Sequence, residues 1–331
     1  MRPEPDEAAN GERTAEVRVG ERMNSQQGFL VNQKLKQPKV AVFQFLPPSK
    51  PYCNFRCSGC YLLESEGIAG RVKKSEGQII MEMKQLRTDD FSVLPSTTEL
   101  LMFNRFAEML ETCESKYLLT NGRIVVEKPA LLLDAKAAGV EQLVVTINTG
   151  DSGLVLPVRD VALQAARIAL GAGLDVAGRV RVTPRNYDKV VEIVGGCIGA
   201  GVRTIQFIRN LVLNGTGEML NGEKLRIFFE KLDEARKRYP LGGSGAYLSA
   251  SGSLGGVYRK KAFRCGAGKS PVTIGVDNNI YPCIYLTQAK NVIGRFENGR
   301  IEIFQEFKNP GREDECPAYN CLKMKQEKLR E

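Results

Sequence analysis

The chain has 331 residues, enough for one large domain or two ordinary ones, and 43% of them are hydrophobic and 26% charged. It contains no histidine, which excludes Ser-His-Asp and Cys-His nucleophiles, a histidine base and histidine-ligated zinc or haem. The net charge is +9, but no recognised nucleic-acid motif accompanies the basic residues, so nucleic-acid binding is not predicted.

The chain also lacks the apolar segments that membranes and secretion require. No apolar run reaches the roughly 18 residues of a membrane span, and the first residues lack the basic-then-apolar order of a signal peptide. We therefore expect a cytoplasmic protein without membrane contact. In that compartment, the nine cysteines are better explained as metal ligands than as disulfides.

Strands and amphipathic helices are predicted to alternate after a polar, flexible extension over residues 1–36. The predicted elements are strand 40–45, helix 77–86, strand 91–94, helix 101–112, strand 117–119, helix 129–138, strand 142–147, helix 158–170, strand 176–183, helix 188–198, strand 204–208 and helix 222–238. Six strand–helix units predict an α/β fold with a parallel sheet. They are too few for an eight-fold barrel, so an open barrel or a doubly wound sheet fits, with ligands at the carboxyl ends of the strands.

The pattern changes at residues 242–245, which read Gly-Gly-Ser-Gly. Beyond them, strands 272–276 and 280–286 flank a hairpin turn at Asp277-Asn278-Asn279, followed by short strands, turns and a charged terminal helix. We predict three parts: the extension 1–36, a core domain 37–240 and a small C-terminal domain 241–331 that contains the β-hairpin.

Three cysteines follow the first predicted strand with C-x3-C-x2-C spacing: Cys53, Cys57 and Cys60. Three thiolates this close can hold three irons of a [4Fe–4S] cluster and leave the fourth iron open to a substrate or cofactor. A structural zinc site needs a fourth ligand, which histidine cannot supply here. The spacing therefore favours an iron–sulfur cluster with an open iron.

This motif closely resembles that of the radical S-adenosylmethionine (SAM) superfamily, and the resemblance extends along the strand–helix region. It implies a partial (β/α)6 TIM-like barrel in which SAM chelates the open iron. An electron from the cluster then cleaves SAM to methionine and a 5′-deoxyadenosyl radical, which abstracts a substrate hydrogen atom. It also implies an external electron donor such as flavodoxin or ferredoxin.

The resemblance carries SAM contacts to seven further positions. Glu99 stands where the family has the acceptor of its Gly-Gly-Glu-Pro motif, although the glycines and proline are replaced here. Thr120-Asn121-Gly122 matches the family's Thr-Asn-Gly, and Arg159 resembles an arginine that reaches the SAM carboxylate. The full predicted set is Thr97, Thr98, Glu99, Thr120, Thr146, Asn148 and Arg159.

Four more cysteines lie in the C-terminal part: Cys265, Cys283, Cys316 and Cys321. A hairpin can bring the first two together, and four thiolates without a spare position suggest a second, fully ligated [4Fe–4S] cluster. The arrangement resembles the twitch domain, a shortened SPASM extension of radical SAM enzymes. A structural zinc site with four cysteine ligands is the alternative.

The second cluster favours an oxidation in which it accepts an electron from the substrate radical. The alternative is a radical epimerase in which a cysteine, Cys113 or Cys197, returns the hydrogen atom; both thiols also fit a buried structural role. A non-catalytic iron–sulfur or zinc protein is a third reading. The substrate is expected to be a small molecule, such as an amino-cyclitol or a sugar, or a peptide in a peptide maturase.

A catalytic residue is predicted at the carboxyl end of the last core strand. Without histidine, polar groups at strand ends must serve the active site. Arg209 occupies such an end and is predicted to contact substrate or SAM by charge stabilisation. Alternation puts Gln206 on one strand face and Phe207 with Arg209 on the other, and the sequence leaves open which face meets the site.

Overall fold

The computed structural model describes the core of the chain and much of its C-terminal part. The described residues are 39–47, 53–55, 74–87, 91–147, 158–209, 220, 222–240, 246–250, 272–284, 286–287, 291–305 and 307. Some predictions lie outside them: the extension 1–36, the terminal helix, and the residues Cys57, Cys60, Asn148, Cys265, Cys316 and Cys321.

Strands and helices alternate through the core as predicted. In chain order, the described elements are β1 (Lys39–Gln44), α1 (Glu76–Leu86), β2 (Phe91–Ser96), a 3-10 turn (Leu100–Met102), α2 (Phe106–Cys113), β3 (Tyr117–Thr120), α3 (Arg123–Glu127), α4 (Leu131–Ala137), β4 (Gln142–Ile147), α5 (Val158–Gly171), β5 (Asp175–Val182), α6 (Val190–Gly199), β6 (Thr204–Arg209), α7 (Gly222–Arg238), β7 (Tyr247–Ala250), β8 (Val272–Ile274), β9 (Asn279–Tyr281), β10 (Gly294–Glu297) and β11 (Arg300–Ile303).

The strands form two sheets. One is entirely parallel, in the order β3-β4-β5-β6-β7. The other has the order β11-β10-β9-β8-β1-β2, in which β1 runs parallel to both β2 and β8. The described residues do not pair β2 with β3. The predicted α/β fold is therefore confirmed, and the strand arrangement is compatible with a partial barrel that is not closed.

Two pairings join parts of the chain that the predicted boundary at residue 241 separates. β7 follows the boundary yet pairs in parallel with β6, adding a strand to the predicted six. β8 begins the predicted hairpin and pairs in parallel with β1. The hairpin itself is confirmed, because β8 and β9 pair antiparallel around a turn in which Asn278 has φ 62°.

The helices pack against the sheets through apolar residues at helical spacing. In α1, a capping box between Ser75 and Gln78 starts the helix. Its buried side is formed by Ile79, Ile80, Met83 and Leu86. In α7, Phe228 packs edge-to-face against Phe207 of β6, with ring centroids 5.5 Å apart.

The predicted helix 101–112 is in fact a 3-10 turn followed by α2. Glu76 of α1 explains the break, because its carboxylate accepts hydrogen bonds from the backbone N–H groups of Asn104 (3.1 Å) and Arg105 (2.8 Å). These N–H groups at the start of α2 are capped by another helix and not by a local side chain. None of the helices in the described ranges is long and apolar enough to cross a bilayer.

Candidate cofactor-binding site

Cys53, the first cysteine of the C-x3-C-x2-C motif, lies next to the end of β3. Its Sγ accepts a hydrogen bond from the backbone N–H of Phe55 (3.4 Å), and the side-chain amide of Asn121 donates to it at 3.7 Å. The same amide donates to Asn54 Oδ1 at 2.7 Å. Two hydrogen-bond donors thus point at this sulfur, and it also contacts Asn54 Oδ1 at 3.7 Å.

Glu99, predicted to hold the SAM amino group, is a buried carboxylate in the segment after β2. Only 1% of the residue is exposed. Its Oε2 accepts hydrogen bonds from Thr120 Oγ1 (2.9 Å) and from the backbone N–H of Asn121 (3.0 Å). Its Oε1 is buried and makes no hydrogen bond to any residue that the structure describes.

Burial controls the charge of this carboxylate. Desolvation raises the pKa of Glu99 from 4.5 to about 7, while the hydrogen bonds from Asn121 and Thr120 and the backbone of Leu101 act in the opposite direction. A cationic donor at Oε1 would favour the ionised form and would satisfy the atom that lacks a partner. The ammonium group of an amino acid such as the methionine part of SAM has the required charge and hydrogen-bond donors.

Asn121 joins the two halves of the site. Its backbone N–H donates to Glu99, and its side chain donates to Asn54 and to the Cys53 sulfur. The Asn121 Oδ1 also accepts the backbone N–H of Arg123 (3.0 Å), which fixes the turn into α3. Asn121 lies in the Thr-Asn-Gly motif, but its chemistry in the sequence alone indicates no role.

The residue after Asn121 must be glycine in this turn. Gly122 has φ +88°, and a Cβ built there would lie 2.9 Å from the Ala165 Cβ of α5. Its backbone N–H donates to Thr120 Oγ1 at 3.0 Å, while that hydroxyl donates to Glu99. The turn thus brings the end of β3, the Glu99 carboxylate and α5 together.

The other predicted SAM contacts occupy varied environments. Thr97 Oγ1 is buried without a hydrogen-bond partner among the described residues, and Thr98 is partly buried beside it in sequence. Thr146 lies on β4. Arg159 forms ion pairs with Glu192 (2.6 Å) and Asp160 (3.5 Å).

The remaining candidates are those predicted for a second cluster and for catalysis. Cys283 follows β9 by two residues and is partly buried. Its hairpin is anchored by Lys74, which pairs with Glu82 of α1 at 2.7 Å and donates to Asn278 in the turn. Arg209 is the last residue of β6, as predicted, and its side chain lies outside the described part of the chain.

Two further cysteines lie in or against the core: Cys197 is buried and Cys113 is partly buried. Burial raises the pKa of both Cys113 and Cys197 to about 12, so both stay protonated at neutral pH. Cys197 is 1% exposed and packs in the core on α6, and Cys113 ends α2. Both environments fit the structural role considered for these thiols.

Comparison with known proteins identifies the fold. No protein-family profile matches the sequence, and no curated protein is a sequence match. Among solved structures, Streptococcus suis SuiB bound to S-adenosylmethionine superposes with a TM-score of 0.57 and 16% identity, covering 86% of this chain and 65% of SuiB. SuiB bound to its precursor peptide SuiA gives 0.58 and 17%, covering 86% and 66%.

A second protein, anSMEcpe with bound AdoMet and Cp18Cys peptide, superposes with a TM-score of 0.55 and 15% identity, covering 87% of this chain and 84% of anSMEcpe. SuiB and anSMEcpe are radical SAM enzymes with SPASM or twitch domains. This chain spans 60% to 66% of the length of SuiB. At this level of identity, the similarity establishes a shared fold.

Proposed function

We propose that this chain, which has the fold of radical SAM enzymes, is itself a radical SAM enzyme that modifies a peptide. The observation that carries the proposal is the contact of Asn121 with both Cys53 and Glu99. It brings the first thiolate of a C-x3-C-x2-C motif and a buried carboxylate with an unpaired oxygen to one turn. A cluster-bound amino acid needs both groups.

The residues fit the cofactors in type and charge. Cys53, Cys57 and Cys60 would hold three irons of a [4Fe–4S] cluster, and Glu99 Oε1 would accept an N–H of the SAM ammonium group. When bound, cluster and SAM together supply one-electron reduction of SAM and a 5′-deoxyadenosyl radical that removes a hydrogen atom from the substrate. Thr120 and Asn121 hold the Glu99 carboxylate in position for this contact.

A peptide is proposed as the substrate because of the similar structures. SuiB is seen with the precursor peptide SuiA, and anSMEcpe is seen with the Cp18Cys peptide. No comparable observation favours the amino-cyclitol or sugar considered from the sequence. The electron donor, a flavodoxin or ferredoxin, remains a prediction.

The proposed reaction is an oxidation. Cys265, Cys283, Cys316 and Cys321 would hold a second [4Fe–4S] cluster, which supplies an electron acceptor. Cys197, one thiol considered for an epimerase, packs among the core residues of α6, which makes it a poor donor to a substrate radical. Arg209 stays a prediction for charge stabilisation of the substrate.

The test is SAM cleavage by the anaerobically reconstituted full chain. With dithionite as reductant, we expect 5′-deoxyadenosine and methionine by mass spectrometry. Cys53→Ala should abolish both products, while Cys113→Ala, at a thiol outside the motif, should retain them. Intact SAM in a wild-type sample that carries its full iron complement would overturn the proposal. Deuterium transfer from heavy water into the product would favour epimerisation over oxidation.

A further inference from the structure

Four polar residues form one row across the parallel sheet. Register places Thr146 of β4 beside Arg179 of β5, Arg179 beside Gln206 of β6, and Gln206 beside Ser249 of β7. In-register neighbours in a parallel sheet point to the same face. With strands about 4.8 Å apart, the row spans roughly 14 Å.

This row lies on the face of β4–β7 opposite to the one on which Phe207 packs against α7, and we call it the open face. The alternate residues of the same strands pack into the core; Val180, Ile205, Phe207 and Leu248 are at most 7% exposed. Phe207 contacts Phe228 of α7, which fixes the helix side of β6. Gln206 therefore belongs to the open face, which resolves the alternation that the sequence left undecided.

The row next to it, towards the amino ends of the strands, is mostly apolar. It consists of Leu119, Val144, Ala177, Thr204 and Tyr247 in register. Leu119 is 42% exposed and Tyr247 39% exposed, although both lie in strands of the sheet. Val144 and Ala177 in this row are at most 5% exposed, so its accessible apolar side chains are those of the two edge strands, Leu119 and Tyr247.

The polar row carries a positive charge without a described counter-ion. Arg179 Nε is buried and makes no hydrogen bond to any described residue, and the same holds for Ser249 Oγ. Asp175 is the acidic residue on this face of β5, but it is exposed and lies four residues earlier, about 13 Å along the strand. Arg179 as a whole is partly buried, and its buried Nε–H without a partner is unfavourable. A carboxylate is the partner that the geometry of a guanidinium matches best.

We propose that Arg179, with Gln206 and Ser249, binds a carboxylate of the substrate on the open face. The proposal rests on the function proposed above, because it assigns the substrate side of the same site. The row begins at Thr146, and the residue paired with its neighbour Val145 is Thr120, which holds Glu99. The substrate would therefore lie across β5–β7, beside the SAM site.

The first test uses acetate as a carboxylate probe and needs no turnover. Thermal unfolding of the reconstituted full chain is compared in sodium acetate and in sodium chloride at equal ionic strength. We expect acetate to raise the wild-type midpoint by roughly 2–4 °C and to leave Arg179→Met unchanged. Arg167→Gln, at an exposed arginine of α5, is the matched control and should respond like wild type.

Acetate stabilisation of Arg179→Met equal to that of wild type would overturn the proposal. If Arg179→Met does not fold, Ser249→Ala takes its place, and its acetate response should be smaller than that of wild type. An unreduced response would equally count against the site. These readouts are independent of SAM cleavage, so failure of the site and failure of the proposed enzyme function are distinguishable.

The second test separates the possible sources of the carboxylate. The SAM-saturated chain is incubated with pools of random tetrapeptides. The pools have free or amidated carboxyl termini and either include or omit Asp and Glu. Peptides that the protein retains are identified by mass spectrometry. We expect carboxylate-bearing peptides to be retained at least tenfold more than their amides, and Arg179→Met to lose this preference with SAM affinity unchanged. Loss of SAM affinity with peptide retention intact would assign Arg179 to the cofactor and overturn the proposal.

Discussion

At the scale of single residues, the Glu99 carboxylate is the most informative group in the molecule. It is buried, held through one oxygen by Thr120 and Asn121, and unpaired at the other. A buried acceptor without a partner is unfavourable unless a ligand supplies the donor. The two predictions at this scale therefore concern Glu99, one with SAM present and one without it.

Glu99→Gln should weaken SAM binding by about 10- to 100-fold, because it removes one charge-assisted hydrogen bond worth roughly 1.5–3 kcal/mol. Anaerobic calorimetry on the reconstituted chain measures the change. Glu108→Gln is the control, since Glu108 pairs with Arg105 on the surface of α2. An unchanged SAM affinity in a folded Glu99→Gln variant would remove Glu99 from the site.

Stability should depend on pH through the same residue. The pKa of Glu99 is raised from 4.5 to about 7, so its contribution is full below about pH 4.5 and is lost as pH rises through 7. The shift corresponds to about 3 kcal/mol. Without SAM, wild type should lose stability relative to Glu99→Gln between pH 5 and 8 by up to that amount. The free energy of unfolding of each protein is measured by urea unfolding at several pH values. If it changes with pH by the same amount in both proteins across this range, the assignment is contradicted.

At the scale of elements, the turn between β3 and α3 positions the site. Hydrogen bonds from the side chains and backbone of this turn reach Glu99 and the pair Cys53-Asn54. Within the turn, Gly122 donates to Thr120. The turn needs a left-handed residue at Gly122 and close approach to α5. A residue with a Cβ at this position would strain the backbone and push against Ala165.

Gly122→Ala should therefore cost more stability than Gly139→Ala. Both glycines have positive φ, so each substitution should cost about 1–2 kcal/mol of backbone strain. Only Gly122 also has a neighbour within 3 Å of the new Cβ, which should add about 1–3 kcal/mol. Urea unfolding measures both variants, and equal losses would show that the contact with Ala165 is easily relieved.

At the scale of the whole molecule, the pairing of β8 with β1 attaches the Cys283 hairpin to the strand that precedes the Cys53 loop. The Lys74 contacts with Glu82 and Asn278 strengthen this attachment at the turn. Cys53 and Cys283, the described members of the two cysteine groups, thus follow strands of the same sheet.

Iron content tests the two-cluster prediction. The anaerobically reconstituted wild type should hold about eight irons per chain, and replacing Cys53, Cys57 and Cys60 with Ala should leave about four. Replacing Cys113 and Cys197 instead should leave the content at about eight, because both thiols lie outside the two groups. Zinc in place of iron under iron-replete conditions would count against both clusters.

Local sequence patterns were enough to predict much of this molecule. Strand–helix alternation predicted the α/β class, and the prediction for β4 matched its observed bounds, Gln142–Ile147. The polar turn at Asp277 predicted the hairpin. Cysteine spacing drew attention to Cys53, and the resemblance to the radical SAM superfamily drew attention to Glu99. These features are encoded by neighbouring residues, whose periodicity and chemistry are visible without knowledge of the fold.

The tertiary structure decided what depends on residues far apart in the chain. Glu76 caps α2 from another helix, so the break in the predicted helix 101–112 has no local cause. The role of Asn121 depends on the contact between the end of β3 and Cys53, which is distant in the chain. Arg179 and Ser249 lie in one row only because of the register of β5, β6 and β7. Pairing and burial between distant segments leave no periodicity in the sequence, because they are set by how the elements pack together.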